Sequence, residues 1–411
     1  AGGGGGSYSA GVNGAESEGG DGGAGTDYSG TFGTSGIPNS CVFAGGGGGG
    51  ASSHVNNAGD GGTGGGGNGG VNSNGGDATT NTGGGGGGAG CQGITGRSGG
   101  NGAAGCIIVM YTSAPTIGTV EIYTTSGNPL DPPAMSPQVE YNIKVPVTDA
   151  DTLDDLVTVK ATLYYDSDGS YSEGEVPTSG NTQTCAILIW TNGGSPSAWT
   201  IDPSSSTTWS IVAANCSQPT LSGTTGTFEF HFKPGKVATY TTGSAKWHIY
   251  VKATDSVSNT GTGTKQNLTM AWYGEIVVNT GTINWGEVTA GLDFDEGDPS
   301  EETSIYITYI CNGAYNQQMK SDTSWTGSPS GSATLNTSGI PGANEFSLKA
   351  DDDGTLDGAI TVSDLFQTFD DTGTITSEIG NAETGNSLWL SIGTPFIKAT
   401  YSGTIYYQIA H

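Results

Sequence analysis

The chain has 411 residues, of which 75 are glycine, and its 39 acidic and 11 basic side chains give a formal net charge of −28. Such a charge argues against nucleic acid and anionic membrane surfaces as partners and favours cations. No run of 18 apolar residues occurs, so the sequence predicts no membrane-spanning helix. A chain of this length is typical of two or three domains.

Glycine is concentrated at the N-terminus, where residues 1–105 contain 45 of the 75 glycines. Short segments rich in Asn, Ser and Ala separate the runs, which are Gly2–Gly6, Gly45–Gly50, Gly64–Gly67 and Gly83–Gly88. Glycine loses much backbone entropy on ordering, so a flexible linker or a draped chain is one interpretation. The ordered alternative is a bundle of left-handed helices with three residues per turn, whose backbone groups bond to neighbouring helices. We predict such a polyglycine-helix module over residues 1–112.

The end of this region has a more specific pattern. Gly83–Gly88 is followed by Gly99-Gly100-Asn101-Gly102 and then by an apolar segment from Gly105 to Tyr111. The pattern resembles the glycine-rich domains of microbial surface proteins and phage tail-fibre adhesins. The resemblance implies a bundle of polyglycine helices that ends in an apolar strand over residues 105–111.

After a short hinge at residues 112–115, the apolar residues recur with a period of two, which indicates strands with one buried face. The alternating segments are Val139–Val147, Val157–Tyr165, Phe228–Phe232 and Trp247–Ala253. The segment Trp247–Gly261 resembles the last two strands of Ig-like domains in prokaryotic surface proteins, and the acidic segment Val147–Leu156 resembles a strand-entry loop of the same domains. We therefore predict an Ig-like β-sandwich over residues 117–270.

Residues 271–411 show no long helical period and are predicted to form a second β-sandwich. The predicted strands are Glu275–Asn279, Ser304–Ile310, Glu345–Ala350, Ser387–Ile392 and Thr404–Ile409. The last of these either closes its own sheet or pairs with the open edge of a neighbouring molecule. The predicted fold class is thus all-β, with an N-terminal polyglycine-helix module and two β-sandwich domains, the first Ig-like.

One acidic segment, residues 353–364, matches the ligand spacing of a twelve-residue calcium loop. It resembles an EF-hand or dockerin-type loop, although Thr355 stands at position 3, Asp364 replaces the usual bidentate Glu at position 12, and no clear helix precedes it. The alternative is a solvated acidic turn. The candidate calcium ligands are Asp353, Thr355, Asp357, Ala359, Thr361 and Asp364.

Further acidic runs lie at predicted strand ends and have the same two interpretations, a calcium site or a solvated loop. The runs are Asp149/Asp151/Asp154/Asp155, Asp166/Asp168 with Glu173/Glu175, and Asp293/Asp295/Glu296/Asp298.

The six cysteines lack the CxxC spacing of a zinc site, which favours an oxidising compartment. Cys185 and Cys216 share a predicted domain and are a candidate disulfide pair, while Cys41 is a candidate partner of Cys91 or Cys106. The sequons at Asn215, Asn267 and Asn336 permit N-glycosylation.

No nucleophile or metal motif surrounds any of the four histidines, so we predict no enzymatic activity. His231 and His248 alternate with buried strand positions and are expected to face solvent or a neighbouring strand. A glycosidase carboxylate pair stays open as a less favoured alternative. Trp199 and Trp325, flanked by Ser, Pro or Gly, are the tryptophans expected to be exposed for stacking on carbohydrate.

These patterns together predict a secreted protein of a cell surface or appendage, whose partners are copies of itself. The N-terminus without methionine is typical of a processed secreted chain. The predicted function is self-assembly into an extracellular filament, sheath or surface layer, because glycine helices satisfy their backbone groups only through lateral neighbours. The alternative is a receptor-binding adhesin that contacts surface glycans or proteins through residues 7–27 and 51–57.

Overall fold

The computed structural model describes residues 1–16, 18–32, 34, 36–52, 57–91, 96–108, 113–194, 198–298, 302–370, 373–383 and 385–411. It forms two compact units, Ala1–Tyr111 and Thr112–His411. The described part of the chain is nearly all β, as the sequence predicts. Its longest helix has four residues, and none of its helices is long and apolar enough to cross a membrane.

The first unit has little regular secondary structure. Its elements are helix α1 (Ser29–Phe32), a 3-10 helix at Pro38–Cys41, and strands β1 (Thr26–Asp27) and β2 (Val42–Phe43), which pair antiparallel. The glycine runs lie outside these elements and bond to one another through the backbone.

The run Gly45–Gly50 is buried along its whole length and has glycine-rich segments on several sides. Every third backbone N–H from Gly45 to Ala51 donates to every third carbonyl of a parallel segment, residues 64–70. The bonds join Gly45 N to Gly64 O, Gly48 N to Gly67 O and Ala51 N to Gly70 O. The same spacing recurs toward an antiparallel segment, where Gly46 donates to Gly23 and Gly49 to Gly20. The central run therefore bonds to different neighbours with a repeat of three residues.

The packing around this run leaves no space for side chains. A Cβ atom added to Gly46 would lie 2.0 Å from the carbonyl oxygen of Gly4, and one added to Gly48 would lie 1.9 Å from that of Gly59. Distances below 3.0 Å are essentially never seen for real Cβ atoms. Glycine is required here because backbone approaches backbone directly.

The second unit begins with two sheets. The strands of the five-stranded sheet are β3 (Thr116–Ile117), β4 (Glu121–Thr124), β6 (Tyr141–Thr148), β10 (Ser210–Ile211) and β11 (Thr225–Lys233). Their order in the sheet is β10-β11-β6-β3, and β4 also pairs with β6. The six-stranded sheet has the order β5-β13-β12-β7-β8-β9; its strands are β5 (Ala134–Met135), β7 (Leu156–Asp166), β8 (Cys185–Thr191), β9 (Trp199–Asp202), β12 (Lys246–Asp255) and β13 (Thr260–Met270). Short 3-10 helices lie at Leu153–Asp155 and Glu173–Glu175.

One hydrophobic core joins these two sheets into a sandwich. The buried alternating residues of both sheets form it, including Phe228, Phe230 and Phe232 of β11 and Trp247, Ile249, Val251 and Ala253 of β12. The first positions of two predicted segments, Val139 and Val157, are exposed instead. Val139 lies before β6, and Val157 is the second residue of β7. The predicted period of two is otherwise confirmed.

The remaining strands form three sheets around a second core. The first has the order β14-β16-β23, with strands β14 (Gly274–Val278), β16 (Ile307–Cys311) and β23 (Asn381–Glu383). The strands of the second sheet are β15 (Glu302–Ser304), β18 (Ser324–Ser328), β19 (Ser332–Leu335), β20 (Glu345–Asp351), β21 (Ile360–Thr361), β24 (Ser387–Ile392) and β25 (Thr400–Ser402). Their order is β15-β24-β20-β19-β18-β25, and β21 also pairs with β20. The third has the order β22-β17-β26, with β17 (Asn316–Ser321), β22 (Gln367–Asp370) and β26 (Ile405–Ala410).

The predicted strands of this half are found with small shifts, except that the segment Ser304–Ile310 is divided between β15 and β16. The terminal strand β26 pairs antiparallel with β17 of its own chain, from Asn316–Ala410 to Ser321–Ile405. The apolar strand predicted over residues 105–111 extends into 109–112, which lie outside the described residues. The predicted boundary between residues 270 and 271 falls between β13 and β14, inside the second compact unit.

Candidate functional site

The candidate calcium loop connects two paired strands, β20 and β21. Asp353 Oδ1 accepts hydrogen bonds from the backbone and hydroxyl of Thr355, both at 2.8 Å, and Gly354 and Gly358 have φ values of +79° and +94°. Thr361 is part of β21, opposite Lys349. The segment is therefore a tight acidic turn between strands, without the flanking helices of an EF-hand.

No group of three or more His, Cys, Asp or Glu side chains in the described ranges is placed to hold a metal ion. Of the remaining candidate ligands, Asp357 lies in the turn, Ala359 directly after it and Asp364 beyond β21, and the side chains of Asp357 and Asp364 are exposed. Calcium binding at residues 353–364 thus stays a prediction from the sequence.

The acidic run at Asp166 and Asp168 surrounds a buried histidine. His248 on β12 is covered by Tyr164 and Tyr171, with ring centroids 5.5 and 5.8 Å from its own, and its Nε2 lies 3.5 Å from Asp166 Oδ2. Burial lowers the pKa of His248 despite the nearby carboxylates. Of the two environments expected for this histidine, solvent or a neighbouring strand, the structure shows the second: its ring packs on Tyr164 of β7, in a small satellite core on the outer face of the sheet.

His231 has a different environment. It is partly buried on β11, and its Nδ1 lies 2.9 Å from Glu140 Oε1. Hydrogen bonds from Asn215 and His231 hold the pKa of Glu140 below its usual value. This arrangement ties neighbouring loops together and presents no nucleophile.

The two cysteines predicted to pair are not joined. Cys185 is buried at the start of β8, whereas Cys216 lies beside β11 in the other sheet, where its Sγ accepts a hydrogen bond from His231 N at 3.2 Å. Burial raises the pKa of Cys185 to about 12 and that of Cys216 to about 11, so neither thiol ionises readily. In the first unit, Cys41 is buried while Cys91 and Cys106 are exposed.

The three sequon asparagines differ in access. Asn267 is exposed at a left-handed position of β13, with φ of +64°. Asn215 Nδ2 donates to Glu140 Oε1, and Asn336 Nδ2 donates to Glu345 Oε2, both at 2.8 Å. Asn215 is also exposed, whereas Asn336 is partly buried, so Asn336 is the least accessible of the three acceptor positions.

The two tryptophans expected at the surface differ in burial. Trp325 is 7% exposed and is stacked between Trp285 and Phe346, with centroids 5.9 and 4.0 Å away. The expectation that it is exposed for carbohydrate stacking is therefore wrong. Trp199 is partly buried and makes an edge contact with Phe230, with centroids 5.0 Å apart.

A polar joint connects the sandwich of the second unit to the sheets that follow it, through Glu378. Its carboxylate accepts hydrogen bonds from Ser206 Oγ and Thr208 Oγ1, both at 2.5 Å, and from Thr207 N at 2.8 Å. Burial raises the pKa of Glu378, but these hydrogen bonds outweigh it and hold the pKa below the usual value. One carboxylate of the C-terminal half thereby fixes a loop of the N-terminal half.

A second group of contacts lies at the same joint. Asn312 Nδ2 donates to the carbonyls of Ala238 and Ala271, at 2.8 and 2.9 Å. Lys236 Nζ lies 2.7 Å from Glu275 Oε2. The joint is consequently cross-linked by side chains from both halves.

The first unit exposes two rows of glycine at three-residue spacing. Gly2 and Gly5 are exposed, and a Cβ atom on Gly5 would meet nothing within 4 Å. Gly99, Gly102 and Gly105 form the second row, where no atom lies closer than 3.3 Å to an added Cβ. Both rows present backbone without side chains to the solvent, which sequence reasoning did not separate from the buried glycines.

Comparisons with known proteins give no family. No protein-family model matches the chain, and no curated protein is significantly similar to it. The solved structure named BspA_C_mut is 10% identical, with a TM-score of 0.21 over 73% of this chain and 91% of that one. The C-terminal domain of the antigen I/II-family protein AspA of Streptococcus pyogenes is 11% identical, with a TM-score of 0.20 over 72% and 95%.

A third structure, dimeric latent PorU from Porphyromonas gingivalis, is 10% identical, with a TM-score of 0.11 over 72% of this chain and 32% of that one. TM-scores of this size do not establish a common fold. The chain is therefore characterised by its own architecture: a glycine-rich unit bonded through its backbone, and a nearly all-β unit with two hydrophobic cores.

Proposed function

We propose that the chain is a secreted structural protein that self-assembles into an extracellular filament, sheath or surface layer. The observation that carries this proposal is the pair of exposed glycine rows, Gly2/Gly5 and Gly99/Gly102/Gly105. Their three-residue spacing equals the repeat that binds the glycine segments to one another inside the unit.

The internal repeat supports the view that the segments are polyglycine helices. Such a helix has three residues per turn and no internal hydrogen bonds, so its N–H and C=O groups point outward along three directions. The hydrogen bonds from Gly45, Gly48 and Ala51 to one neighbour, and from Gly46 and Gly49 to another, have the spacing that this geometry requires. A helix at the surface of the bundle has the same groups directed away from it.

The exposed rows would bind the kind of partner that the buried run Gly45–Gly50 binds, which is another glycine-rich segment. A second copy of the chain supplies that partner, since its own glycine rows allow backbone to approach backbone within hydrogen-bond distance. Many such bonds in parallel would give cohesion without an apolar interface. Because the chain carries a net charge of −28, we expect association to increase with ionic strength.

Negative-stain electron microscopy across a range of concentrations tests this proposal. The wild-type chain should form regular filaments, tubes or sheets, and the double variant Gly5→Val/Gly102→Val should stay as discrete particles. The matched control is Gly30→Val, because Gly30 is also exposed with nothing within 4 Å of an added Cβ but lies in α1, outside both rows. Discrete wild-type particles at every concentration would overturn the proposal.

A receptor-binding adhesin is the second candidate, and exposed apolar side chains favour it. Within residues 7–27, Tyr8 is 80% exposed and Val12 is 57% exposed. The other proposed contact segment, residues 51–57, lies mostly outside the described residues. Binding of discrete particles to a surface glycan or protein, lost in Tyr8→Ser, would support this function. A carbohydrate-active enzyme is not proposed.

A further inference from the structure

Carboxylates from both sheets of the first sandwich meet at one of its ends. Asp149 directly follows β6 in the five-stranded sheet, while Asp155 precedes β7 and Asp255 ends β12 in the six-stranded sheet. Asp255 pairs with Leu156 in the β12–β7 register, so it lies next to Asp155. Ser256 Oγ bridges the same two strands by donating to Asp155 Oδ1.

One of these carboxylates is fully satisfied by its own turn. Asp255 Oδ1 accepts hydrogen bonds from Val257 N at 3.0 Å and Asn259 N at 2.7 Å, and its Oδ2 accepts one from Asn259 Nδ2 at 2.9 Å. Both oxygens of Asp255 are therefore held by its own turn, and the partnerless oxygens at this end belong to its neighbours.

The other two carboxylates each keep a buried oxygen without a partner. Asp149 is 1% exposed; its Oδ1 accepts a hydrogen bond from Asp151 N at 3.0 Å, while Oδ2 accepts none from the described residues. Asp155 Oδ2 is also buried and accepts none within the same ranges. The two residues lie at opposite ends of the connection between β6 and β7, where the chain passes from the five-stranded to the six-stranded sheet.

A buried carboxylate beside other carboxylates is costly unless a positive charge reaches it. Asp149 is such a group, because it is 1% exposed, its Oδ2 has no hydrogen-bond donor among the described residues, and Asp151 and Asp155 lie in the same connection. Either a proton or a metal ion can remove the cost. A proton shared between two carboxyl groups neutralises one negative charge, whereas a divalent cation neutralises two and also binds further oxygen ligands.

We propose that Asp149 and Asp155 hold a calcium ion that bridges the two sheets at this end of the sandwich. The donor atoms are all hard oxygens, which calcium and magnesium prefer over zinc or copper. The described residues contain no metal centre built from three acidic, His or Cys side chains. The two carboxylates would thus share the ion with backbone carbonyls and water, as the six to eight ligands of calcium permit.

This site is distinct from the predicted loop at residues 353–364, and it does not depend on self-assembly. Hydrogen–deuterium exchange of the whole chain separates the two sites, because peptides spanning 148–156 and 353–364 are read independently. Exchange is compared in EDTA, in excess calcium chloride and in excess magnesium chloride. The variants are Asp149→Asn and the matched control Asp154→Asn, which removes an exposed carboxylate of the same segment.

The proposal expects calcium to slow exchange in peptide 148–156 by roughly tenfold to a hundredfold, the range that a ligand well above its Kd produces. Asp154→Asn should keep this response and Asp149→Asn should lose it; if Asp149→Asn does not fold, Asp155→Asn replaces it. Equal protection by monovalent salt would overturn the proposal, since it would indicate screening, and equal protection by magnesium would overturn the assignment of calcium to the site. The proposal would also be overturned if calcium did not change the exchange of peptide 148–156 in the wild type. If Asp149→Asn then raised the melting temperature of the chain, the carboxyl group of Asp149 would be neutralised by a proton and not by a metal ion.

Discussion

Replacing Gly48 by alanine tests whether the glycine-rich unit owes its order to direct backbone packing. The added Cβ would lie 1.9 Å from the carbonyl oxygen of Gly59, against a lower limit of 3.0 Å, so the segment containing Gly59 must move by at least 1.1 Å (3.0 − 1.9). That segment is bonded to the central run through Gly59 N to Gly49 O and Gly62 N to Gly46 O, both at 2.8 Å. A shift of this size breaks both hydrogen bonds.

The expected cost follows from these two bonds. A buried hydrogen bond that is lost with its groups left unsatisfied costs about 1–3 kcal/mol. The two bonds together are thus worth about 2–6 kcal/mol. Alanine in place of glycine returns about 0.4–1 kcal/mol through the unfolded chain, so the net loss is roughly 1–6 kcal/mol. Native-state hydrogen exchange of peptides spanning 45–63 should then accelerate by roughly fivefold or more.

Gly5→Ala is the control, because its Cβ would meet nothing within 4 Å, and exchange should be unchanged or slightly slower. Wild-type exchange rates in Gly48→Ala would refute the reasoning. Equal acceleration in both variants would also refute it, since glycine would then be needed for a reason other than close approach.

The remaining predictions concern the repeat and the joint. Inserting one glycine into Gly45–Gly50 should reduce protection far more than inserting three, because three residues restore the phase of the hydrogen bonds; equal effects would count against a three-residue repeat. Glu378→Gln should lower the free energy of unfolding of the second unit by about 1–3 kcal/mol in a urea titration, whereas Glu287→Gln, whose surface pair with Lys398 is 3.8 Å long, should change it little. The pKa of Glu378 is lower in the folded than in the unfolded state. Its contribution to the free energy of unfolding is therefore present above about pH 4.3 and is lost as the pH falls below that value. If the free energy of unfolding of the wild type and of Glu378→Gln changed in parallel with pH through this range, the prediction would be contradicted.

The sequence predicted strands in which apolar core residues alternate with polar ones. In Phe228–Phe232 of β11 and Trp247–Ala253 of β12 every second residue is hydrophobic and lies in the core, so the period is visible without the structure. Strand β8 was missed because it is apolar on both faces and shows no such alternation. Strand β17 was missed because it buries Gln317 and Ser321 beside Met319. The amide of Gln317 is satisfied by Asp370, a residue more than 50 positions away, and no local pattern could indicate that partner.

The candidate sites were harder to predict for a similar reason. A pure glycine run contains no periodic side chains, so the sequence cannot distinguish Gly5, which faces solvent, from Gly48, which faces another backbone. Asp149 and Asp155 were recognised as an acidic run, but only the pairing of β7 with β12 adds Asp255 and shows which oxygens are buried. The sequence thus indicates which acidic residues lie near one another along the chain, and the tertiary fold determines which of their carboxylate oxygens are buried.

The composition of the first unit's interior has a thermodynamic consequence. Its buried apolar side chains among the described residues are Cys41, Ala51 and Ala78, while the buried run Gly45–Gly50 has none. The heat capacity change of unfolding grows with the apolar surface that unfolding exposes. The stability of this unit should therefore vary weakly with temperature, without the loss on cooling that a hydrophobic core undergoes. A backbone-bonded bundle of this kind would keep its cohesion near the freezing point of water.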